Sequence, residues 1–155
     1  MLARARTLAL AATLLALPTL ASAQSHPLVG KWSVDLVAGQ RIENGQATQI
    51  TTKGTLEVVL QGDSLIGTLV TVPTEGMPQR PPSRLAGKRV DGTMTFVSRS
   101  EGTINANGEM QSFQAISTWS LRASGDTLEG SVSRELLGVS IPDMGAQPVK
   151  GTRVK

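Results

Sequence analysis

The stretch Gly-Asp-Ser-Leu-Ile-Gly at residues 62–67 and its counterpart Gly-Asp-Thr-Leu-Glu-Gly at residues 125–130 decide the fold. Each opens with a Gly-Asp pair and follows a run in which apolar residues occupy every second position. Glycine takes a positive φ at the first position of a two-residue turn without steric cost, and such alternation is typical of half-buried strands. Each stretch therefore predicts one β-hairpin.

The turn positions also predict the register of the paired strands. A third two-residue turn is expected at Asp91-Gly92, a dipeptide that is common in tight hairpins. Counting outward from the three turns gives the pairs whose side chains should face the core: Leu60–Leu65, Val58–Gly67, Gly87–Phe96, Leu121–Gly130 and Trp119–Val132. Inward glycines thus lie opposite residues with sizeable apolar side chains.

The rest of the chain follows the same pattern and shows no helical periodicity, which predicts an all-β fold. We expect a single eight-stranded antiparallel up-and-down (meander) barrel with strands at 29–37, 47–60, 65–72, 84–90, 93–100, 111–123, 126–135 and 149–155. The short turns should meet at one end and the longer connections, 38–46, 73–83, 101–110 and 136–148, at the other. Such a barrel has a closed base and a loop-rimmed mouth.

Residues 1–23 match a secretory signal peptide. Arg4 and Arg6 precede an apolar stretch at 8–20, which is followed by Ala21-Ser22-Ala23. The expected mature domain is therefore 24–155, secreted or periplasmic, without a membrane anchor after cleavage. Removing the leader leaves 13 of the 15 basic residues against 12 acidic ones, so the mature chain lacks the basic excess of a nucleic-acid-binding protein.

The residue types of the mature chain favour binding over catalysis. Cysteine and tyrosine are absent, and the only histidine, His26, precedes the first strand in what should be a flexible tail. Most carboxylates fall on turns or outward faces. We therefore expect no catalytic constellation, no metal site and no cofactor, and hence a protein that is not an enzyme.

Gly30-Lys31-Trp32 at the head of the first strand, the eight-strand meander, and a last strand that ends at residues 151–155 resemble the calycin superfamily of lipocalins, avidins and fatty-acid-binding proteins. The resemblance implies that Trp32 lies at the closed end and is covered by a basic side chain of the last strand. Parity selects Arg153, which would make a cation–π contact with Trp32. The alternative is an independent core tryptophan and a solvated terminal arginine.

Within that superfamily the avidin-like branch is most similar in length, because no terminal helix or helical lid is evident. Biotin recognition does not carry over. The chain has Val34 and Ala38 where avidins present an asparagine and a serine, and only Leu36 and Trp119 match ligand-contact positions.

Arg134 is the ionisable residue that parity turns inward near the mouth, opposite Ser117. A guanidinium there would hold a ligand carboxylate through paired N–H donors. Phe113, Ser117 and Trp119 would form the facing wall, and Leu36 a further contact. The competing interpretation is an arginine solvated at the rim.

The sequence thus predicts an exported barrel that binds a small, largely apolar molecule, with or without an acidic group. A protein-interaction or inhibitor barrel, similar to small exported metalloprotease inhibitors, is the alternative. Its protein partner would meet the apolar segment 136–141 or the N-terminal tail. A filled structural barrel without ligand is the third possibility.

Overall fold

The computed structural model describes residues 26–43, 46–73, 79–90, 93–106, 109–139 and 145–155, which form a closed antiparallel barrel. Each strand pairs with its neighbours in the chain, and the first pairs with the last, which confirms the all-β up-and-down fold. The strands are β1 Gly30–Glu43, β2 Gln46–Gln61, β3 Ser64–Thr71, β4 Ser83–Val90, β5 Thr93–Ala106, β6 Glu109–Ser124, β7 Thr127–Leu137 and β8 Gln147–Arg153. The predicted signal peptide lies outside the described residues.

The hairpin turns have the predicted geometry and register. Gly62 and Gly125 adopt φ values of 60° and 58°, the conformation that glycine accepts most readily. The strands beside the turns pair as expected: Leu60–Leu65, Val58–Gly67, Gly87–Phe96, Leu121–Gly130 and Trp119–Val132. The predicted turn at Asp91-Gly92 lies outside the described residues, although Val90 pairs with Thr93 on either side of it.

The predicted loops 38–46 and 101–110 were wrong, because both are mostly paired strand. β1 and β2 pair as far as Glu43 and Gln46, and β5 and β6 as far as Ala106 and Glu109. The sequences of these extensions show little alternation of apolar and polar residues, so alternation could not reveal them. A register shift between Val37 and Gly39, typical of a β-bulge, marks where β1 leaves the barrel.

The other two predicted connections, 73–83 and 136–148, correspond to 72–82 between β3 and β4 and 138–146 between β7 and β8, of which 74–78 and 140–144 lie outside the described residues. β7 runs to Leu137 and thereby takes in the start of the apolar segment 136–141. We call the end of the barrel with these two connections the open end, and the end with turns 62–63 and 125–126 the closed end. Of the residues described, none forms a helix long and apolar enough to cross a membrane.

The apolar core fills the closed-end part of the barrel. Its members alternate along the inner faces of the strands: Leu28, Trp32, Val34, Leu36, Leu56, Val58, Leu65, Leu69, Leu85, Met94, Phe96, Trp119, Leu121, Leu128, Val132 and Val149. Two predictions needed correction. Leu60 is 59% exposed, because it flanks a turn with no further layer to pack against. His26 is not in a free tail, since its carbonyl accepts the N–H of Val29 at 2.8 Å in a turn across the base.

Candidate functional site

The closed end is sealed by Trp32 and Arg153, which the structure brings together on β1 and β8. The Arg153 guanidinium carbon lies 4.1 Å from the centroid of the Trp32 ring. Arg153 donates to the carbonyls of Val29 and Pro27, each at 2.9 Å, and the Trp32 indole N–H donates to the carbonyl of Leu28 at 2.9 Å. Arg153 on β8 thereby links the turn at residues 26–29 to the last strand.

Further contacts leave the Arg153 guanidinium well satisfied. Its Nε lies 3.5 Å from Oδ1 of Asp126, and this ion pair contributes little because the Asp126 side chain is 63% exposed. Gly30 beneath it has φ 133°, and a Cβ there would lie 2.5 Å from Arg153 Nη1. The positive φ favours glycine at this position, and the described hydrogen bonds of the Arg153 guanidinium all go to backbone carbonyls of the protein.

Arg134 occupies the other half of the barrel, on β7, opposite Ser117 on β6. Its Nε donates to Ser117 Oγ at 3.4 Å, and Ser117 is only 6% exposed. The next inward-facing pair towards the core is Trp119 and Val132. The indole N–H of Trp119 donates to Ser98 Oγ at 3.2 Å. Arg134, Ser117, Trp119 and Ser98 form a polar layer above the apolar core, and we call them the Arg134 layer.

The electrostatic surroundings of Arg134 differ from those of a structural ion pair. Burial, and secondly the positive charge of Arg80, lower the pKa of Arg134. Among the described residues, no carboxylate is paired with it, because the nearby acids Glu129 and Glu135 are exposed on the outer face of β7. A half-buried guanidinium with one neutral partner has N–H donors left for an anion.

The other predicted site residues lie apart from Arg134. Leu36 is buried in the apolar core, where it packs as a structural residue. Phe113 is four residues from Ser117 along β6, about 13 Å at the usual rise per residue. The structure therefore brings Arg134, Ser117 and Trp119 together and leaves Leu36 and Phe113 outside this group.

Phe113 instead lines an open cleft of about 700 Å³ at the ends of β5, β6 and β7. The lining residues are Glu101, Gly102, Thr103, Ser112, Phe113, Gln114, Leu137 and Gly138. The Phe113 ring lies over Gly102, where a Cβ would come within 2.6 Å of the ring. This cleft was not predicted, because residues 101–110 were expected to form a loop and are mostly paired strand. The pairing of a glycine with an aromatic residue was the only available signal.

Comparisons with protein-family models, curated proteins and solved structures found no significant match to this chain. The closed eight-stranded meander is compatible with a calycin-like architecture. Within the described ranges, no three His, Asp or Glu side chains are grouped to hold a metal ion. The site must therefore be interpreted from its own geometry.

Proposed function

We propose that this protein is an exported, calycin-like barrel that binds a small, largely apolar molecule through an acidic group held by Arg134. The observation that carries the proposal is the half-buried Arg134 guanidinium, whose described hydrogen-bond partner is Ser117 Oγ at 3.4 Å. Removing a guanidinium from water is costly unless charged or carbonyl acceptors replace the lost hydration. A ligand carboxylate is such an acceptor.

The contrast within the barrel supports this assignment. Arg153 has the carbonyls of Val29 and Pro27, the Asp126 carboxylate and an aromatic face. Arg134 has a neutral hydroxyl and the repulsion of Arg80. A half-buried arginine without a described carboxylate partner is typical of a binding site, because the ligand then supplies the negatively charged acceptor.

The apolar part of the ligand would lie against the side chains around the Arg134 layer. Trp119 and Val132 form the upper boundary of the apolar core beneath Arg134, and Ala115 is buried two residues beyond Ser117 along β6 towards the open end. These surfaces suit an alkyl chain or an aromatic ring. The proposed ligand is therefore an amphipathic acid of modest size.

The experiment is a titration of the mature protein with octanoate and with an aromatic acid, followed by calorimetry and tryptophan fluorescence. Arg134→Met should weaken binding by about tenfold or more, the scale of one lost charge-assisted hydrogen bond. Arg122→Met is the matched control, because Arg122 is exposed on the outside of β6. Absence of binding by the parent protein, or equal affinities in the Arg134 variant, would refute the proposal.

Export is tested separately. The mature protein should begin at Gln24, because the Ala-Ser-Ala sequence at 21–23 satisfies signal-peptide cleavage. Mass determination of material recovered from the periplasm or medium measures this directly. An intact Met1 on exported protein would contradict it.

A second candidate function is protein interaction, and the cleft beside Phe113 favours it. Leu137 on its wall is 41% exposed, and Met110 on the same β6 end is 66% exposed. Exposed apolar side chains beside an open cleft are common at interaction surfaces. Inhibition assays against secreted metalloproteases, with Leu137→Ser and Met110→Ser as variants, test this candidate. Inhibition that both substitutions leave unchanged would remove the cleft from consideration.

A further inference from the structure

The outer face of β3 carries apolar side chains, although the barrel core lies on the other side of this strand. Leu65 and Leu69 point inward and are buried. Ile66 and Val70 lie on the outer face, where Val70 is 40% exposed, and Val72, directly after the strand, is 57% exposed. Antiparallel strands with one solvated face usually present polar residues there. The outer face of β3 therefore has the composition of a covered surface.

The neighbouring strands extend this apolar surface on both sides of β3. Ile66 pairs with Val59 on β2 and with Ala86 on β4. Val59 is 46% exposed, and Ala86 is exposed as well. Side chains of directly paired residues point to the same side of a sheet and lie about 5 Å apart at Cβ. Val59, Ile66, Ala86 and Val70 thus form one patch, which we call the β3 face.

Two opposite charges flank β3 in the next row towards the open end. Thr68 pairs with Glu57 on β2 and with Arg84 on β4, and all three side chains are exposed. Adjacent strands are about 4.8 Å apart, so the backbones of Glu57 and Arg84 are about 10 Å apart, at equal distances from β3. Within the described ranges, neither residue makes an ion pair.

A two-fold axis along β3 makes this surface complementary to itself. Rotation about that axis places β2 of one copy over β4 of the other, whereas β3 lies over β3. Glu57 then faces Arg84 of the second copy, and the same pair recurs on the other side of the axis. Val59 faces Ala86, and Ile66 faces its own counterpart. The strands of the two copies stay aligned, as they do in most face-to-face sheet packings.

We propose that the β3 face is an interface with a second copy of this chain, in which two Glu57–Arg84 pairs flank the apolar patch. Charge complementarity favours a second copy, because one two-fold rotation gives both charges an opposite partner. The patch spans three strands, so the interface is small and the dimer is reversible, with a dissociation constant on the order of 10–100 µM.

The dimer goes beyond the proposed ligand binding and is independent of it. In a barrel of eight sequentially paired strands, β3 lies opposite β7, which carries Arg134. The β3 face is also on the outer wall, whereas Arg134 and Ser117 face the interior. Association through β3 therefore leaves the Arg134 layer uncovered.

The test is sedimentation equilibrium of the mature protein over about 5–500 µM, which measures the dissociation constant of the dimer. Glu57→Arg places arginine opposite arginine across the interface, and Arg84→Glu places glutamate opposite glutamate. Each substitution should weaken dimerisation by about tenfold or more, because like charges then face each other twice. Lys150→Glu is the matched control, since it changes the net charge as Arg84→Glu does but lies exposed on β8.

Restoring opposite charges tests the pairing itself. The double variant Glu57→Arg/Arg84→Glu should dimerise within about threefold of the parent, and the two single variants mixed together should form a heterodimer. Val70→Lys tests the apolar patch, because Val70 lies on the axis and the substitution brings two lysines together. All these side chains are exposed, so urea unfolding of each variant should remain close to that of the parent.

A parent protein that stays monomeric at about 500 µM would overturn the proposal and leave the β3 face for a different partner. Dimers that both single charge reversals leave unchanged would assign association to another surface, and so would a folded double variant that stays monomeric. Association that continues beyond two copies would contradict the two-fold arrangement, because that arrangement closes at the dimer.

Discussion

Arg153 and Arg134 are on adjacent strands, β8 and β7, but their guanidinium groups have different partners at the two ends of the barrel. At the closed end, Arg153 lies over Trp32 and donates to two backbone carbonyls at 2.9 Å. At the open end, Arg134 has Ser117 Oγ at 3.4 Å and a second arginine within electrostatic range. The same residue type thus seals the closed end in one place and, under the proposed function, binds the ligand in the other.

The difference shows which part of the barrel is available for function. The apolar core and the turn at residues 26–29 occupy the closed end, so a change there should reduce stability. The open end has fewer apolar contacts and carries the extended hairpins and the Arg134 layer. A change there should alter binding more than folding.

The largest effect is expected for Trp32→Ala, which should lower the free energy of unfolding by about 3–5 kcal/mol, because a fully buried aromatic ring is removed from the core. Urea unfolding of the mature protein measures the change. Leu60→Ala is the control, since that exposed side chain should contribute less than about 0.5 kcal/mol. A loss at Trp32 no larger than at Leu60 would show that the closed end is not the stable half.

Arg153→Met should cost about 2–3 kcal/mol. The substitution leaves the Val29 and Pro27 carbonyls without their charged donor and removes the contact with Trp32. Combined with Trp32→Ala, the loss should be smaller than the sum of the single losses, because both substitutions remove the same contact. Strict additivity in urea unfolding would mean that the two side chains stabilise the barrel independently.

Phe113→Ala should have a smaller effect of about 1 kcal/mol, because the ring is half-buried at the edge of the cleft, where it lies over Gly102. The thermal unfolding midpoint of the variant measures it. A loss as large as that of Trp32→Ala would mean that the stabilising core reaches the open end as well.

Arg134→Met should have the smallest effect on stability, within about 1 kcal/mol and in the stabilising direction. Folding lowers the pKa of Arg134, so the charged form opposes folding at every pH where arginine is protonated. Methionine removes the half-buried positive charge and keeps an unbranched apolar side chain. Urea unfolding of Arg134→Met and Arg153→Met under the same conditions measures the difference. An equal loss of free energy of unfolding in the two variants would mean that Arg134 is a structural residue.

The hairpins could be predicted because their signals are local. Gly62 and Gly125 each begin a turn, and parity then places the inward residues on both sides, as the pairing of Trp119 with Val132 shows. The extensions of β1 and β5 could not be predicted, because their sequences show little alternation of apolar and polar residues. The inward position of Arg134 followed from parity, whereas the separation of Phe113 from it depended on where the barrel wall ends.

The sequence by itself determined the class of fold and the registers beside the turns. These follow from turn chemistry and from a side-chain period of two, which act over a few residues. The partnership of Trp32 with Arg153 was implied by the resemblance to calycins, and parity then selected Arg153. Only the tertiary structure decided that the core fills the closed end and that Leu28 completes it. Those outcomes depend on how distant strands close and pack together, which no local pattern encodes.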